Sequence, residues 1–86
     1  MSEGWYLYIL RCGDGSLYTG ITPDVARRLE AHRSGRGAKY TRGRGPLELA
    51  YQELCGSHSQ ALKREKQIKS LPRERKLALI QAGGGD

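Results

Sequence analysis

The chain has 86 residues, of which 15 are lysine or arginine and nine are aspartate or glutamate, so its formal charge is +6. This length suffices for one small domain with a modest core, because a chain of this size buries only about 60% of its unfolded surface. The positive charge favours a polyanionic partner, most simply nucleic acid. No apolar run approaches the roughly 18 residues that a membrane span needs, so a membrane partner is not expected.

The two cysteines, Cys12 and Cys55, lie outside any C-x-x-C or Cys/His cluster. Zinc binding is therefore not expected. The first residues lack the basic and apolar regions of a secretion signal, and the chain is expected to be a reduced protein of the cytoplasm.

The first predicted elements are two strands, at residues 5–12 and 16–21, joined by the turn Gly-Asp-Gly at residues 13–15. A three-residue loop puts Tyr8 and Tyr18 on one face of the hairpin, whereas the commoner two-residue turn puts them on opposite faces. A site that uses both tyrosines therefore predicts the three-residue loop. Its register sets Leu10 opposite Tyr18 and Gly20 opposite Tyr8. Its other, core-facing side consists of Leu7, Ile9, Leu17 and Ile21.

A helix is predicted over residues 23–33, with Thr22 as its N-cap and Pro23 at its first position. Arg28 and His32 lie one turn apart on this helix. They adjoin an apolar stripe made of Val25 and Leu29.

A loop rich in glycine and basic residues follows at residues 35–46, and a third strand is predicted over residues 47–55. Ser57 and Gln60 form a capping box that opens a second helix, residues 58–70. A last helix, residues 73–82, follows Pro72 and has Gly83 as its C-cap. The resulting order, β-β-α-β-α-α, predicts an α/β fold with a small three-stranded antiparallel sheet flanked by helices. We expect a single domain, residues 1–82, and a flexible glycine-rich tail, residues 83–86.

Glu65 falls between Leu62 and Ile68 at helical spacing, so its carboxylate is predicted to face inward. A carboxylate in that position needs a partner. Lys69, four residues later, stands in the order that favours a salt bridge. The alternative is a hard cation such as Mg²⁺, which oxygen ligands suit. The residues alone leave both interpretations open.

The side chains on the hairpin and first helix also have two interpretations each. Tyr8 and Tyr18 are either an aromatic pair that stabilises the hairpin or phenols that act as bases. A phenol titrates near 10, so it needs a nearby cation or a metal-bound water to act as a base at neutral pH. Arg28 either faces solvent or stabilises charge on a phosphate, whose oxygens its planar guanidinium matches. His32 is either a partly buried polar residue or a participant in catalysis. The candidate cations near the tyrosines are Arg11, Arg28 and Lys39, whereas Arg27 and Arg33 are expected only to face solvent.

Basic residues concentrate in two segments, residues 27–44 and residues 63–76. Glycines make the first segment pliable, and its Tyr40 could stack a nucleobase. One such segment could be a solvated surface, but two favour salt-dependent, largely sequence-independent contact with nucleic acid. The residues predicted to bind it are Arg11, Arg36, Lys39, Tyr40, Arg42, Arg44, Lys63 and Lys69.

This ordered set of residues resembles the GIY-YIG nuclease superfamily, in particular its small stand-alone bacterial members, over about residues 5–80. The matching segments are YLY at residues 6–8, YTG at residues 18–20, Arg28, His32, GAKYTR at residues 37–42 and ALKRE at residues 61–65. The first motif keeps Tyr8 but lacks its glycine and isoleucine, and the second has Thr19 in place of isoleucine. An appended DNA-binding domain is not expected, so binding is expected to be weak, guided by the shape of the substrate or promiscuous. A protein partner or a second copy of the chain is the alternative source of specificity.

The resemblance implies a divalent-metal-dependent endonuclease that hydrolyses phosphodiester bonds in nucleic acid, DNA more than RNA, in repair or processing of structured or single-stranded DNA. It implies that Tyr8 deprotonates the attacking water and that Tyr18 orients the water or shares that role. Arg28 would stabilise the pentavalent phosphorus, His32 would assist proton transfer, and Glu65 would hold one Mg²⁺ or Mn²⁺ ion. One alternative is a nucleic-acid-binding module of the same fold with little or no turnover. Another is an interaction protein whose basic face meets an acidic protein.

Overall fold

A computed structural model describes residues 4–83 as three strands and three helices in the order β-β-α-β-α-α. The strands form one antiparallel sheet, so the predicted fold class and element order are confirmed. No helix in this part of the chain is long and apolar enough to cross a membrane. The elements are β1 (Trp5–Arg11), β2 (Leu17–Thr22), α1 (Val25–Arg33), a short 3₁₀ helix (Lys39–Thr41), β3 (Glu48–Gly56), α2 (His58–Lys69) and α3 (Arg73–Gly83).

The hairpin has the predicted three-residue loop. The amide of Cys12 donates to the carbonyl of Ser16 at 2.9 Å, which closes the loop. Gly15 has a φ of 87°, a left-handed conformation that favours glycine in the turn. The strand register sets Tyr8 opposite Gly20 and sets Tyr18 opposite Leu10, as predicted. Both tyrosines therefore belong to one face of the sheet.

The opposite face of the sheet carries the core. Leu7 and Ile9 are fully buried there and pack with Ile68 of α2 and Ile80 of α3. Leu17 and Ile21 of β2 pack against this cluster, as predicted. The second face of β1 is covered at Tyr8, which lies against His32 of α1 and is only 2% exposed. Around Tyr8 this face is therefore a protein interior, whereas Tyr18 on the same face is partly exposed.

The helix α1 begins later than predicted, and the assignment of Thr22 as its N-cap is wrong. Thr22 pairs with Tyr6 in the sheet, so it is the last residue of β2. The cap is Asp24, whose carboxylate accepts a hydrogen bond from the amide of Arg27 at 3.1 Å. The hydroxyl oxygen of Thr22 instead accepts from the amide of Asp24 at 3.1 Å.

The capping box of α2 is confirmed. The hydroxyl oxygen of Ser57 accepts from the amide of Gln60 at 3.1 Å, and the Gln60 side chain accepts from the amide of Ser57 at 2.8 Å. The expected position of Leu62 on the inward stripe is wrong, since Leu62 is 46% exposed and its neighbour Ala61 is fully buried. Glu65 lies one turn from Ala61 and still borders the interior.

The sequence predicts Gly83 as the C-cap of α3, but the helix includes Gly83 as its last residue. Residues 84–86 lie outside the described residues, so the predicted single domain with a flexible tail stays a prediction. The other element boundaries differ from the predicted ones by at most one residue, and the short helix Lys39–Thr41 was not predicted.

Candidate active site

The centre of the site is a hydrogen-bonded pair formed by Tyr8 of β1 and His32 of α1. The Tyr8 hydroxyl lies 2.8 Å from Nε2 of His32, and each side chain is 2% exposed. The glycine opposite Tyr8 makes this position accessible to the ring. A Cβ atom at Gly20 would lie 2.5 Å from the Tyr8 hydroxyl and 2.7 Å from the carbon that bears it. The strand register that the loop sets therefore also delivers the hydroxyl to His32.

The other ring nitrogen of His32 is held by the loop that follows α1. Nδ1 lies 2.9 Å from the hydroxyl of Thr41 and 3.3 Å from the backbone nitrogen of Ala38. The Thr41 hydroxyl in turn donates to the carbonyl of Ala38 at 2.9 Å. Gly37 packs so closely on the imidazole that a Cβ atom there would overlap Nδ1. Neither Ala38 nor Thr41 was predicted individually from the sequence, and both were named only as part of the segment at residues 37–42.

Burial decides the protonation state of this pair. Burial is the main cause that raises the pKa of Tyr8 above its ordinary value of 10. The Arg28 guanidinium beside it acts to lower that pKa, whereas Tyr18 and Glu65 raise it further. Burial, and then the positive charge of Arg28, lower the pKa of His32 below 6.5. At neutral pH the pair is therefore a protonated phenol and a neutral imidazole, and the imidazole has a lone pair free to accept a proton.

A series of aromatic rings leads from this pair to the surface. The Tyr18 ring lies 6.3 Å from the Tyr8 ring and packs edge-on against His32 at 5.3 Å. Tyr40, in the short 3₁₀ helix, stacks on Tyr18 at 5.7 Å. Exposure rises from 2% at Tyr8 to 43% at Tyr40. The sequence predicted Tyr40 as a stacking residue, but its contact with Tyr18 follows from the loop conformation.

Arg44 fixes the end of this series to the hairpin turn. Its guanidinium carbon lies 4.4 Å from the centre of the Tyr40 ring. Its Nη1 forms an ion pair with Asp14 at 2.5 Å. Hydrogen bonds from Ser16, together with Arg44, lower the pKa of Asp14 to about 2. The loop that carries Tyr40 is therefore held against the loop that joins β1 and β2.

Glu65 has the partner that the structural interpretation predicted. Its carboxylate forms an ion pair with Lys69 at 3.2 Å, and its side chain is 21% exposed. The same carboxylate contributes to the raised pKa of Tyr8, so its charge acts at the tyrosine pair. In residues 4–83 no three histidine, cysteine, aspartate or glutamate side chains converge on a metal position. A single carboxylate nevertheless fits a Mg²⁺ ion whose remaining ligands are water and substrate phosphate.

The arginines of α1 differ in their surroundings. Arg28 is half-buried and its charge lowers the pKa of His32, whereas Arg27 is exposed. Arg33 was expected only to face solvent, but its Nε and one terminal nitrogen donate to the carbonyl of Leu47 at 3.3 and 3.1 Å. Arg33 therefore ties α1 to the segment before β3.

The residues predicted to bind nucleic acid are on the surface but not all are free of partners. Arg11 forms an ion pair with Glu48 at 3.6 Å, and the Arg42 side chain donates to the carbonyl of Gly35 at 3.2 Å. Arg44 and Lys69 have the acidic partners described above. The exposed members of the set are Arg36, Lys39, Tyr40, Arg42, Lys63 and Lys69.

The family model for the GIY-YIG catalytic domain matches residues 4–78, which include every element up to α3. The chain belongs to the GIY-YIG family. It is 51% identical to a UPF0213 protein of Staphylococcus saprophyticus over 78 residues, which are 91% of this chain and 95% of that one. It is 53% identical to a UPF0213 protein of Oceanobacillus iheyensis over 81 residues, 94% of each chain. The resemblance to the small single-domain bacterial branch is thus confirmed.

Two solved structures have the same fold as this GIY-YIG chain. One is the solution NMR structure of a UPF0213 protein from Bacillus halodurans, with 49% sequence identity and a TM-score of 0.62. It matches 95% of this chain and 87% of its own. The other is the solution NMR structure of a protein from E. faecalis, with 40% identity and a TM-score of 0.63 over 92% of this chain and 84% of its own. These matches support the fold, and the GIY-YIG domain indicates a nuclease.

Proposed function

We propose that this GIY-YIG protein is a divalent-metal-dependent endonuclease that hydrolyses phosphodiester bonds, in DNA more than in RNA. One observation carries the proposal. A phenol and a neutral imidazole are hydrogen-bonded at 2.8 Å inside the domain, with the guanidinium of Arg28 beside them. A structural aromatic pair would not require a buried imidazole with both nitrogens occupied.

The proton of the attacking water leaves through Tyr8 and His32. As the water oxygen forms a bond to phosphorus, its proton passes to the Tyr8 oxygen while the Tyr8 proton passes to Nε2 of His32. The phosphorus bond to one ester oxygen breaks, and that oxygen takes a proton from solvent. This path avoids a free phenolate, which the raised pKa of Tyr8 disfavours. His32 can accept the proton because burial keeps it neutral.

Arg28 and Tyr18 act on the substrate from the same side. The half-buried guanidinium of Arg28 would donate hydrogen bonds to the phosphate oxygens, on which negative charge builds up during attack. Such donors act strongly where water is excluded, and Arg28 is beside the buried pair. Tyr18, whose ring is closer to solvent, would orient the water toward Tyr8.

Glu65 would hold a Mg²⁺ or Mn²⁺ ion. When bound, the ion would neutralise charge on the phosphate and on the leaving oxygen. The carboxylate is available for this because its ion pair with the half-exposed Lys69 is of the kind worth only about 0.3–0.5 kcal/mol. A substrate phosphate would supply further ligands, so metal and nucleic acid would bind together.

The surface around Tyr40 would bind the nucleic acid. Tyr18 stacks on the Tyr40 ring and the Arg44 guanidinium lies over it, so a base would stack there in place of Arg44. Exposed cations near Tyr40 in the chain, such as Lys39 and Arg42, can contact phosphates. None of these contacts reads a base sequence. Specificity would come from the shape of the substrate, from a protein partner or from a second copy of the chain. A place in DNA repair or processing, in the cytoplasm, stays a prediction.

A second candidate is a nucleic-acid-binding module with the same fold and negligible turnover. The burial of Tyr8 favours it, since a water molecule must reach a side chain that is only 2% exposed. This module would bind nucleic acid in a salt-dependent way and would be indifferent to Mg²⁺.

Cleavage of labelled single-stranded, duplex and branched DNA, and of RNA, separates the two candidates. The assay compares the wild-type protein with Glu65→Gln, with and without Mg²⁺, and uses Glu74→Gln as the control because Glu74 is an exposed acid on α3. Cutting that needs Mg²⁺ and is lost only in Glu65→Gln supports the nuclease. Binding without cutting, unchanged by metal or substitution, contradicts it and supports the binding module.

A further inference from the structure

We propose that Thr41 is a positioning residue that holds His32 in the tautomer able to accept the Tyr8 proton. The inference rests on the proposed function, because it concerns the same proton path. Thr41 is 2% exposed and lies in the short 3₁₀ helix, nine residues after His32. It does not contact Tyr8 in the hydrogen-bond network, so any effect on the phenol must pass through the imidazole.

The proposed tautomer lets one continuous series of hydrogen bonds form. Nδ1–H of His32 donates to the Thr41 hydroxyl oxygen at 2.9 Å, and that hydroxyl donates to the Ala38 carbonyl at 2.9 Å. With its proton on Nδ1, the neutral imidazole has its lone pair on Nε2. The Tyr8 hydroxyl then donates to Nε2 at 2.8 Å. Each donor in this series has one acceptor, and the direction of transfer from Tyr8 to His32 is fixed. The Ala38 amide, which points at Nδ1 from 3.3 Å, is the donor that this tautomer leaves without an acceptor.

The opposite tautomer breaks the series. With the proton on Nε2, His32 would donate to Tyr8 and could not receive its proton. Nδ1 would then accept from the Ala38 amide, at the longer distance of 3.3 Å, or from the Thr41 hydroxyl. The single proton of that hydroxyl cannot serve both Nδ1 and the Ala38 carbonyl. The tautomer of a histidine is set by the bond that its other nitrogen makes. At Nδ1 the contact with Thr41, at 2.9 Å, is shorter than the contact with the Ala38 amide, at 3.3 Å, so the choice lies with Thr41.

The surroundings leave the imidazole little freedom to avoid this choice. His32 is buried, and Gly37 lies directly against Nδ1. Thr41 therefore acts through a ring whose orientation is already fixed. Loss of its hydroxyl changes which nitrogen carries the proton and leaves the position of the ring unchanged.

Long-range ¹H–¹⁵N NMR of the substrate-free protein tests the assignment directly, because it distinguishes a protonated ring nitrogen from one with a lone pair. His58 is the second histidine, and the variant His58→Gln identifies the His32 signals. We expect Nδ1 of His32 to be protonated and Nε2 to carry the lone pair in wild type. Thr41→Val should shift the population toward the Nε2-protonated form, and Thr41→Ser, which keeps a hydroxyl, should restore it. A wild-type spectrum with Nε2 protonated, or a Thr41→Val spectrum like wild type, overturns the proposal.

Cleavage kinetics give the second measurement. Loss of one hydrogen bond that selects the tautomer should lower kcat about tenfold in Thr41→Val, with KM unchanged and activity recovered in Thr41→Ser. Equal kcat values in Thr41→Val and Thr41→Ser contradict the positioning role. If wild type itself does not cleave nucleic acid, the proposed function fails, whereas the spectra still decide whether Thr41 sets the tautomer. Because the wild-type spectrum is decisive on its own, a Thr41→Val protein that does not fold leaves the test intact.

Discussion

The close approach of Gly20 to Tyr8 gives a sharp test of the site's geometry. The substitution Gly20→Ala adds a carbon that would lie 2.5 Å from the Tyr8 hydroxyl, 2.7 Å from Cζ and 3.1 Å from Cε1. Carbon and oxygen atoms do not normally approach within about 3.3 Å, so the hydroxyl must move by roughly 0.8 Å or more. A hydrogen bond holds only over about 2.7–3.2 Å, so a move of that size disrupts the bond to His32.

The expected magnitudes follow from these distances. Overpacking of this kind lowers the free energy of unfolding by about 1–3 kcal/mol. A misplacement near 1 Å at a reacting group can lower the cleavage rate by about 100-fold. Stability is measured by urea unfolding, and cleavage is measured under conditions in which the variant is folded. Gly45→Ala is the matched control, because a Cβ atom at Gly45 would meet no other heavy atom within 4 Å.

A second background sharpens this test. The Tyr8→Phe substitution removes the atom nearest to the added methyl group, so Gly20→Ala should lower stability less in that background than in wild type. A Gly20→Ala protein with wild-type stability and wild-type cleavage would refute the reasoning. So would an effect no larger than that of Gly45→Ala.

Three further predictions concern the charged groups of the site. The pKa of His32 is lowered in the folded protein, so its contribution to the free energy of unfolding is complete above pH 6.5 and is lost as the pH falls below that value. Urea unfolding at about pH 5.5 and 7.5 should show this loss in wild type but not in His32→Gln. Lys69→Gln frees Glu65 from an exposed ion pair, so the Mg²⁺ concentration for half-maximal cleavage should fall about twofold. An unchanged Mg²⁺ titration would contradict the role of Glu65 as the metal ligand. Arg28→Lys keeps the charge but loses the planar guanidinium, so kcat should fall at least about tenfold. Arg27→Lys, on the exposed face of α1, should leave kcat unchanged, and equal losses in the two variants would count against Arg28 as a phosphate ligand.

The hairpin was predictable because few arrangements satisfy its sequence. Side chains alternate along a strand, so the number of loop residues alone decides whether Tyr8 and Tyr18 share a face. The apolar residues of the opposite side then had to form the core. The capping box of α2 was readable for a similar reason, since Ser57 and Gln60 have the correct spacing and side chains.

The start of α1 was not predictable from residue types. Thr22 and Asp24 are both good N-cap residues, and both lie near the predicted helix start. The sheet decides between them, because Thr22 pairs with Tyr6 and is therefore unavailable as a cap. On α2, Ala61 and Leu62 are neighbours and either could have faced inward. In both cases a contact between distant segments overrides a local preference.

The candidate residues could be selected from the sequence, but the hydrogen bonds that connect them could not. The sequence indicated five candidate residues, which are Tyr8, Tyr18, Arg28, His32 and Glu65. It did not predict the hydrogen bond between Tyr8 and His32. Thr41 depends on an irregular loop, to which no periodic pattern applies. The burial that keeps His32 neutral comes from the tyrosines of the sheet on one side and from the loop at residues 37–41 on the other.

The most direct test of the account is single-turnover cleavage of a labelled DNA by Tyr8→Phe with saturating protein and Mg²⁺, with Tyr18→Phe measured in parallel. Tyr8→Phe removes the hydroxyl that is hydrogen-bonded to Nε2 of His32 and little else. The account predicts that cleavage falls about 100-fold or more while DNA binding is unchanged, and that Tyr18→Phe loses less. Cleavage by Tyr8→Phe at the wild-type rate would contradict the central claim that this phenol carries the proton of the attacking water.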